Sequence, residues 1–136
     1  MAAKKFHVFI VDDDPSFRFI TKKLCEKEPS IGRIEDFEDI YDALRQIMLH
    51  KKSAENLPDV ILLDLNFPTL NGWEFLEGFV DLQVSLAKKI PVFVISSSLL
   101  NSDRARAKEI DIVKGFFSKP ITLEQVTSIM QSLDHV

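Results

Sequence analysis

Three short stretches of this chain are apolar almost without interruption: Phe6-His-Val-Phe-Ile-Val11, Val60-Ile-Leu-Leu63 and Pro91-Val-Phe-Val-Ile95. A strand that faces water on one side alternates apolar with polar residues, whereas a strand covered on both sides does not. These runs therefore read as central strands of a parallel sheet with helices on both faces. A fourth run, Gly115-Phe-Phe-Ser118, is shorter, and the more polar stretch from Arg33 to Phe37 reads as an edge strand.

Helical spacing fills the intervals. Asp14-Pro15 supplies an N-cap and a first helical position, after which Phe17, Ile20 and Leu24 fall on one face. Asp39 to His50 carries Ile40, Ala43, Leu44 and Ile47 at helical spacing. Asn71-Gly72 opens a third helix with Trp73, Leu76 and Val80 inward. Asn101 or Ser102 caps a short fourth helix, with Asp103 to Glu109 as a solvated charged face. Thr122 and Gln125 form a capping box for the last helix, which buries Val126, Ile129, Met130 and Leu133. Strands alternating with helices in this way predict an α/β, doubly wound, five-stranded sheet joined by right-handed crossovers. A chain of 136 residues suffices for one core and is too short for two, so residues 1–136 are expected to be one domain with nothing left for an effector domain.

Charge and composition exclude several functions. The net charge of -4 argues against binding to a nucleic-acid backbone, which demands a basic patch, and disfavours an anionic membrane. No apolar run is long enough to span a bilayer. Met1-Ala-Ala-Lys-Lys resembles the start of a signal peptide, but the apolar run after it stops at three aspartates. Cys25 is alone, which rules out an internal disulfide and fits a reducing compartment. A cytoplasmic location is expected. Cys25 reads as a packing residue and Trp73 as core or rim. His7, His50 and His135 lack the spacing of a zinc site.

The chemistry lies at the strand ends. In open α/β sheets ligands bind beyond the carboxyl ends of the strands. Asp12, Asp13 and Asp14 follow the first apolar run, Asp64 the third strand, Ser96 the fourth and Lys119 the fifth. Two carboxylates ~5 Å apart repel by roughly 3 kcal/mol at an effective dielectric near 20. A divalent cation relieves that repulsion, and an all-oxygen donor set with few protein ligands favours Mg²⁺. With a cation present, Asp64 stays ionised and can act as a nucleophile toward phosphorus. Lys119 and Ser96 supply donors for the phosphoryl oxygens.

Four segments carry a resemblance: Val11-Asp12-Asp13-Asp14-Pro15; Leu63-Asp64-Leu65-Asn66-Phe67-Pro68 with Asn71-Gly72; Val94-Ile95-Ser96-Ser97; and Phe116-Phe117-Ser118-Lys119-Pro120. In order and spacing they resemble the landmarks of response-regulator receiver domains over essentially the whole chain. The resemblance implies the flavodoxin-like strand order 2-1-3-4-5. It also implies that Asp64 accepts a phosphoryl group from the phosphohistidine of a sensor histidine kinase or histidine phosphotransfer protein. Asp13 and Asp64 would ligate Mg²⁺ directly, with the backbone carbonyl of Asn66, and Asp12 mainly through water. Ser96 would swing toward the phosphoryl group, Lys119 would pair with it, and the Phe116 rotamer would follow. Lys119-Pro120 would be a cis peptide. A downstream protein, unknown from sequence, would read the face of the fourth helix, fifth strand and fifth helix. Alternatively the chain would relay the phosphoryl group to another histidine.

This chain departs from the family in carrying Ser96 for the commoner Thr, Phe116 for Tyr, Phe67 for Met and Ser97 for a smaller residue. Each change keeps the reacting groups and bears on the conformational response. The resemblance implies that Asn66 and Ser98 occupy the positions that tune phosphoryl lifetime in that family. Phe19 lies about 160° around its helix from Phe17 and Leu24. It either docks a phosphodonor or folds over a neighbouring element. Two other functions compete. Asp12-x-Asp14 followed by a Ser and a distal Lys also resembles haloacid-dehalogenase-type phosphatases, with Asp12 as nucleophile and Asp14 as acid. That family needs a further acidic pair, whereas Glu124 and Asp134 are isolated, and Asp64 would have no task. A degenerate receiver acting only as a binding module is disfavoured by the intact set of Asp12, Asp13, Asp64, Ser96 and Lys119.

Overall fold

The computed structural model describes residues 5–65, 72–97 and 101–133, and over these strands and helices alternate. In chain order they are β1 (Phe6–Val11), α1 (Pro15–Glu26), β2 (Ile31–Phe37), α2 (Ile40–Leu49), β3 (Val60–Leu63), α3 (Gly72–Gln83), β4 (Val92–Ser96), α4 (Asn101–Lys108), β5 (Val113–Ser118) and α5 (Leu123–Leu133). The strands form one sheet in the order β2-β1-β3-β4-β5, and every pairing is parallel. The chain winds one way from β1 to β2 and the other way from β3 onward. The carboxyl ends of β1 and β3 therefore flank the crevice where such sheets bind ligands.

The unbroken apolar runs have the expected consequence. All residues of β1, β3 and β4 are buried, and alternate side chains enter two separate cores. Phe9, Val11, Ile61 and Leu63 meet Ile40, Ala43 and Ile47 of α2 and Phe75, Leu76 and Phe79 of α3. Phe6, Val8, Ile10 and Leu62 meet Cys25 of α1 and Val126, Ile129 and Met130 of α5. The polar β2 is an edge strand. The Asp14 side chain caps α1 and Asp39 caps α2. The Thr122 hydroxyl accepts from the Gln125 N–H while the Gln125 side chain accepts from the Thr122 N–H, closing the capping box of α5.

Three helical faces differ from expectation. The buried stripe of α1 is Thr21 and Cys25, while Ile20 is 42% exposed and Leu24 only half-buried. A polar Thr lies inward here, and an apolar count overlooks it. On α3, Phe75, Leu76 and Phe79 face inward in place of Val80, and Trp73 is half-buried at the rim. Phe75 and Phe79 stack one turn apart with centroids at 5.7 Å, and these larger rings set the helix's rotation. The stretch from Asp103 to Glu109 is not wholly solvated, because Ala107 is buried and Arg104 is half-buried. Ser102 lies inside α4 and does not cap it. Asn71 and His135 lie outside the described residues. Among those described, no helix is long and apolar enough to cross a membrane.

Candidate functional site: an acidic pocket at the strand tips

Asp12 and Asp13 directly follow β1, and Asp64 directly follows β3. The Asp64 N–H donates to the Val11 carbonyl at 2.9 Å, which ties the two strand ends together. One carboxylate oxygen from each of Asp12, Asp13 and Asp64 lies within 4.8 Å of the others. From the far side Lys119 enters just after β5. Its ammonium lies 2.9 Å from Asp12 Oδ2 and 3.2 Å from Asp64 Oδ2. The Lys119 backbone N–H donates to the carbonyl of Ser96, the fully buried last residue of β4. The Lys119–Pro120 peptide is cis. Sequence proximity brings together only Asp12 with Asp13; the sheet order brings the rest.

The carboxylates crowd one another. Burial, followed by the charge of Asp12, holds the Asp13 carboxyl above its usual range. For Lys119, burial alone would pull the ammonium down. The hydrogen bond to Asp12 and the charges of Asp64 and Asp12 outweigh it and hold the ammonium above its ordinary value. One ammonium thus faces three carboxylates, and the pocket still favours a cation. The donors are hard oxygens, with Asp12 and Asp64 buried and Asp13 only half-buried, which suits an ion that keeps part of its water shell. Both Asp12 oxygens already hold donors, Oδ1 taking the Asp14 N–H at 2.9 Å and Oδ2 the Lys119 ammonium. Asn66, the expected carbonyl ligand, and Ser98 lie outside the described residues.

Asp14 does not join the cluster. Its Oδ1 accepts from the Ser16 and Phe17 N–H groups at the start of α1, which leaves it poorly placed as the acid of a phosphatase. Phe116 is half-buried on β5, where Val94 pairs with Phe116 and Ser96 with Ser118. The Arg104 guanidinium lies 4.9 Å from the Phe116 centroid. Phe19 stands 60% exposed on α1, with the Lys23 ammonium 5.4 Å from its ring.

Two contributors escaped the sequence reading. The Phe17 ring, taken for core, lies 4.4 Å from the Lys119 ammonium and backs it. Arg18 donates from Nη1 to the Asp12 carbonyl at 2.8 Å and from Nε to Asp36 at 3.1 Å. A signal for Arg18 existed: a cation in the first turn of a helix opposes the helix dipole and needs a local anion.

Comparison with known proteins identifies the family and the fold. The family described as "Response regulator receiver domain" matches residues 8–131. The chain is 27% identical over 132 residues to the "Probable methanogenesis regulatory protein FilR2" of Methanothrix harundinacea, covering 97% of this chain and 83% of that protein. It is 31% identical over 121 residues to the "Protein-glutamate methylesterase/protein-glutamine glutaminase 2" of Vibrio vulnificus. That match covers 88% of this chain but 32% of the relative, so the chain spans only about a third of the relative's length. Among solved structures, a two-component response regulator from Cytophaga hutchinsonii superposes with a TM-score of 0.89 at 25% identity, covering 98% of this chain and 100% of that one.

Proposed function

The chain belongs to the response regulator receiver domain family of two-component systems, and from that membership we propose that it is a phosphorylation switch with Asp64 as the acceptor. The observation that carries the proposal is the convergence on Asp64. Its carboxylate shares one pocket with Asp12 and Asp13 and lies 3.2 Å from the Lys119 ammonium.

In the proposed reaction an Asp64 carboxylate oxygen attacks the phosphorus of a phosphohistidine. The new bond is O–P, the P–N bond breaks, and the imidazole leaves with the electron pair of that bond. Asp64 becomes an acyl phosphate. The Lys119 ammonium, already between Asp12 and Asp64, remains beside the phosphoryl oxygens, and the buried Ser96 hydroxyl turns toward them. Asp12, Asp13 and Asp64 would hold Mg²⁺ together with the backbone carbonyl at position 66. When bound, that ion neutralises charge on the phosphoryl oxygens and lets Asp64 stay ionised.

The donor is a sensor histidine kinase or a histidine phosphotransfer protein, and the exposed Phe19 and Ile20 of α1 offer it an apolar contact. The output is a change of the face formed by α4, β5 and α5, read by a protein partner or followed by relay to another histidine. This reading implies a cytoplasmic location, and no chemistry beyond phosphorylation and dephosphorylation of Asp64 itself.

The test is incubation with acetyl phosphate and Mg²⁺, followed by mass measurement of the intact chain. The expected product is roughly 80 Da heavier and is absent from Asp64→Asn. Multiple-turnover phosphate release that depends on Asp12 and survives Asp64→Asn would support a phosphatase instead. No adduct at all would leave a binding module.

A further inference from the structure

Helix α4 is held to the sheet by little apolar surface. Its sequence is Asn-Ser-Asp-Arg-Ala-Arg-Ala-Lys, and Ala107 is its one buried apolar side chain among the described residues. By contrast α5 buries Val126, Ile129 and Met130. Two arginines fasten α4. Arg106 lies 4.2 Å from the Trp73 ring centroid and 3.4 Å from Glu77, both on α3. That contact is exposed, and exposed ion pairs contribute little. Arg104 is half-buried and works at the tip of β5. Its guanidinium covers the Phe116 ring, and Nη2 lies 3.3 Å from Ser118 Oγ.

Phe116 and Ser118 are two residues apart on a strand, so both side chains project to the same face of the sheet. In register they stand opposite Val94 and Ser96. The next residue is Lys119, whose N–H holds the Ser96 carbonyl. Arg104 therefore grips Ser118, which pairs with the residue that would turn toward a phosphoryl group, and Phe116 on the same face of β5. Phe116 has no hydroxyl through which a neighbour could hold it. Its ring face remains, and attraction of a cation to that face falls away once the ring moves.

We infer that Arg104 is a positioning residue that clamps Phe116 and Ser118, and α4 with them, in the unphosphorylated arrangement. Turning of Ser96 toward a phosphoryl group on Asp64 shifts its register partner Ser118 at the β5 tip and loosens this clamp. The inference rests on Asp64 being the phosphoacceptor.

The test uses amide hydrogen exchange on the full chain, before and after acetyl phosphate and Mg²⁺, with the adduct measured in the same samples. Arg104→Met keeps the stem and removes the charge and the donor. The expected result is α4 exchange about three- to tenfold faster before phosphorylation, with adduct yield near that of the wild type and a smaller further rise on phosphorylation. Arg104→Lys, which keeps the charge, recovers part of the protection and guards against a variant that simply folds poorly. Phe116→Leu speeds the same amides, and the double variant is no faster than the more affected single one. Unchanged α4 exchange in Arg104→Met, or fully additive effects of the two substitutions, overturns the clamp. If the wild type takes no adduct, the phosphoacceptor reading fails, while the unphosphorylated comparison still decides whether the clamp exists.

Discussion

Lys119 Nζ and Asp12 Oδ2 lie 2.9 Å apart, with only 5% and 8% of the two side chains open to solvent. The ammonium also bonds Asp64, so it is the internal counter-ion of the acid cluster. One positive charge cannot satisfy three carboxylates. Asp13, held above its usual range by burial and by the charge of Asp12, carries the excess. Asp13→Asn is therefore expected to raise stability without metal by about 0.5–1 kcal/mol, a gain kept small by solvent screening of a half-exposed group. The same substitution is expected to shrink the additional stability conferred by Mg²⁺. Urea unfolding with and without MgCl₂ checks both halves. Lower metal-free stability in the variant would contradict the crowding argument.

Gly115 provides a second test, on the β5 side of the sheet. A Cβ built there would lie 2.8 Å from Phe93 Cδ1 and 3.2 Å from Phe117 Cε2. The two rings stack across the glycine with centroids at 6.2 Å. Phe93 is buried, so its ring has little room to retreat. Gly115→Ala is expected to destabilise by about 1–3 kcal/mol through overpacking. Adding Phe93→Leu to the same chain makes room and recovers part of the loss, and thermal melts of the three chains show whether it does.

His7 sits near the opposite end of β1 from the acid pocket. Its Nε2 lies 2.7 Å from a Glu35 oxygen, while Nδ1 is buried without a hydrogen-bond partner among the described residues. Burial lowers the imidazole below its ordinary value, and the Glu35 hydrogen bond and charge only partly oppose this. The unfolded chain takes up a proton near pH 6.5 that the folded chain resists. Stability is thus complete above that pH and declines as pH falls through the lower folded value. Urea midpoints between about pH 7.5 and 5.5 are expected to fall in the wild type. They are expected to fall less in His7→Phe, which has no imidazole to protonate. Equal slopes would contradict the assignment.

The strands and their tips were legible in the sequence because both depend on short-range signals, whereas the order 2-1-3-4-5 is a long-range property that only the family resemblance supplied. An unbroken apolar run marks a strand covered on both faces, and the first polar residue after it marks the tip. That argument located Asp12, Asp13, Asp64, Ser96 and Lys119 along the chain, and the parallel order then brought Asp12, Asp13, Asp64 and Lys119 into contact. The rotation of α1 and α3 was less legible. Ile20 and Val80 satisfy an apolar spacing that Thr21 and Phe79 satisfy better once the neighbouring helices are in place. Contacts such as Arg104 with Phe116 and Arg18 with Asp36 join separate elements, and no local spacing encodes them. A charged helix such as α4 reads as solvated until the rings beneath its arginines are located.

Arg18 is the residue for which a long-range contact has the most direct bearing on the site. From the first turn of α1 it donates to the carbonyl of Asp12 and to the carboxylate of Asp36 near the end of β2. It thereby ties the loop carrying Asp12 and Asp13 to the neighbouring strand end. The Arg18 side chain is 17% exposed, so water can replace its bonds only in part. Arg18→Met should cost about 1–2 kcal/mol of stability through the lost hydrogen bonds. Freeing the loop should also weaken Mg²⁺ binding several-fold, since a site assembled from mobile ligands must order them on binding. Arg18→Lys retains a charge for Asp36 but cannot reach in two directions with a planar fork, so it should recover stability better than metal affinity. Calorimetric titration of Mg²⁺ alongside urea unfolding separates the two effects. Parallel loss and recovery of both would mean that Arg18 acts on the fold alone and does not orient Asp12.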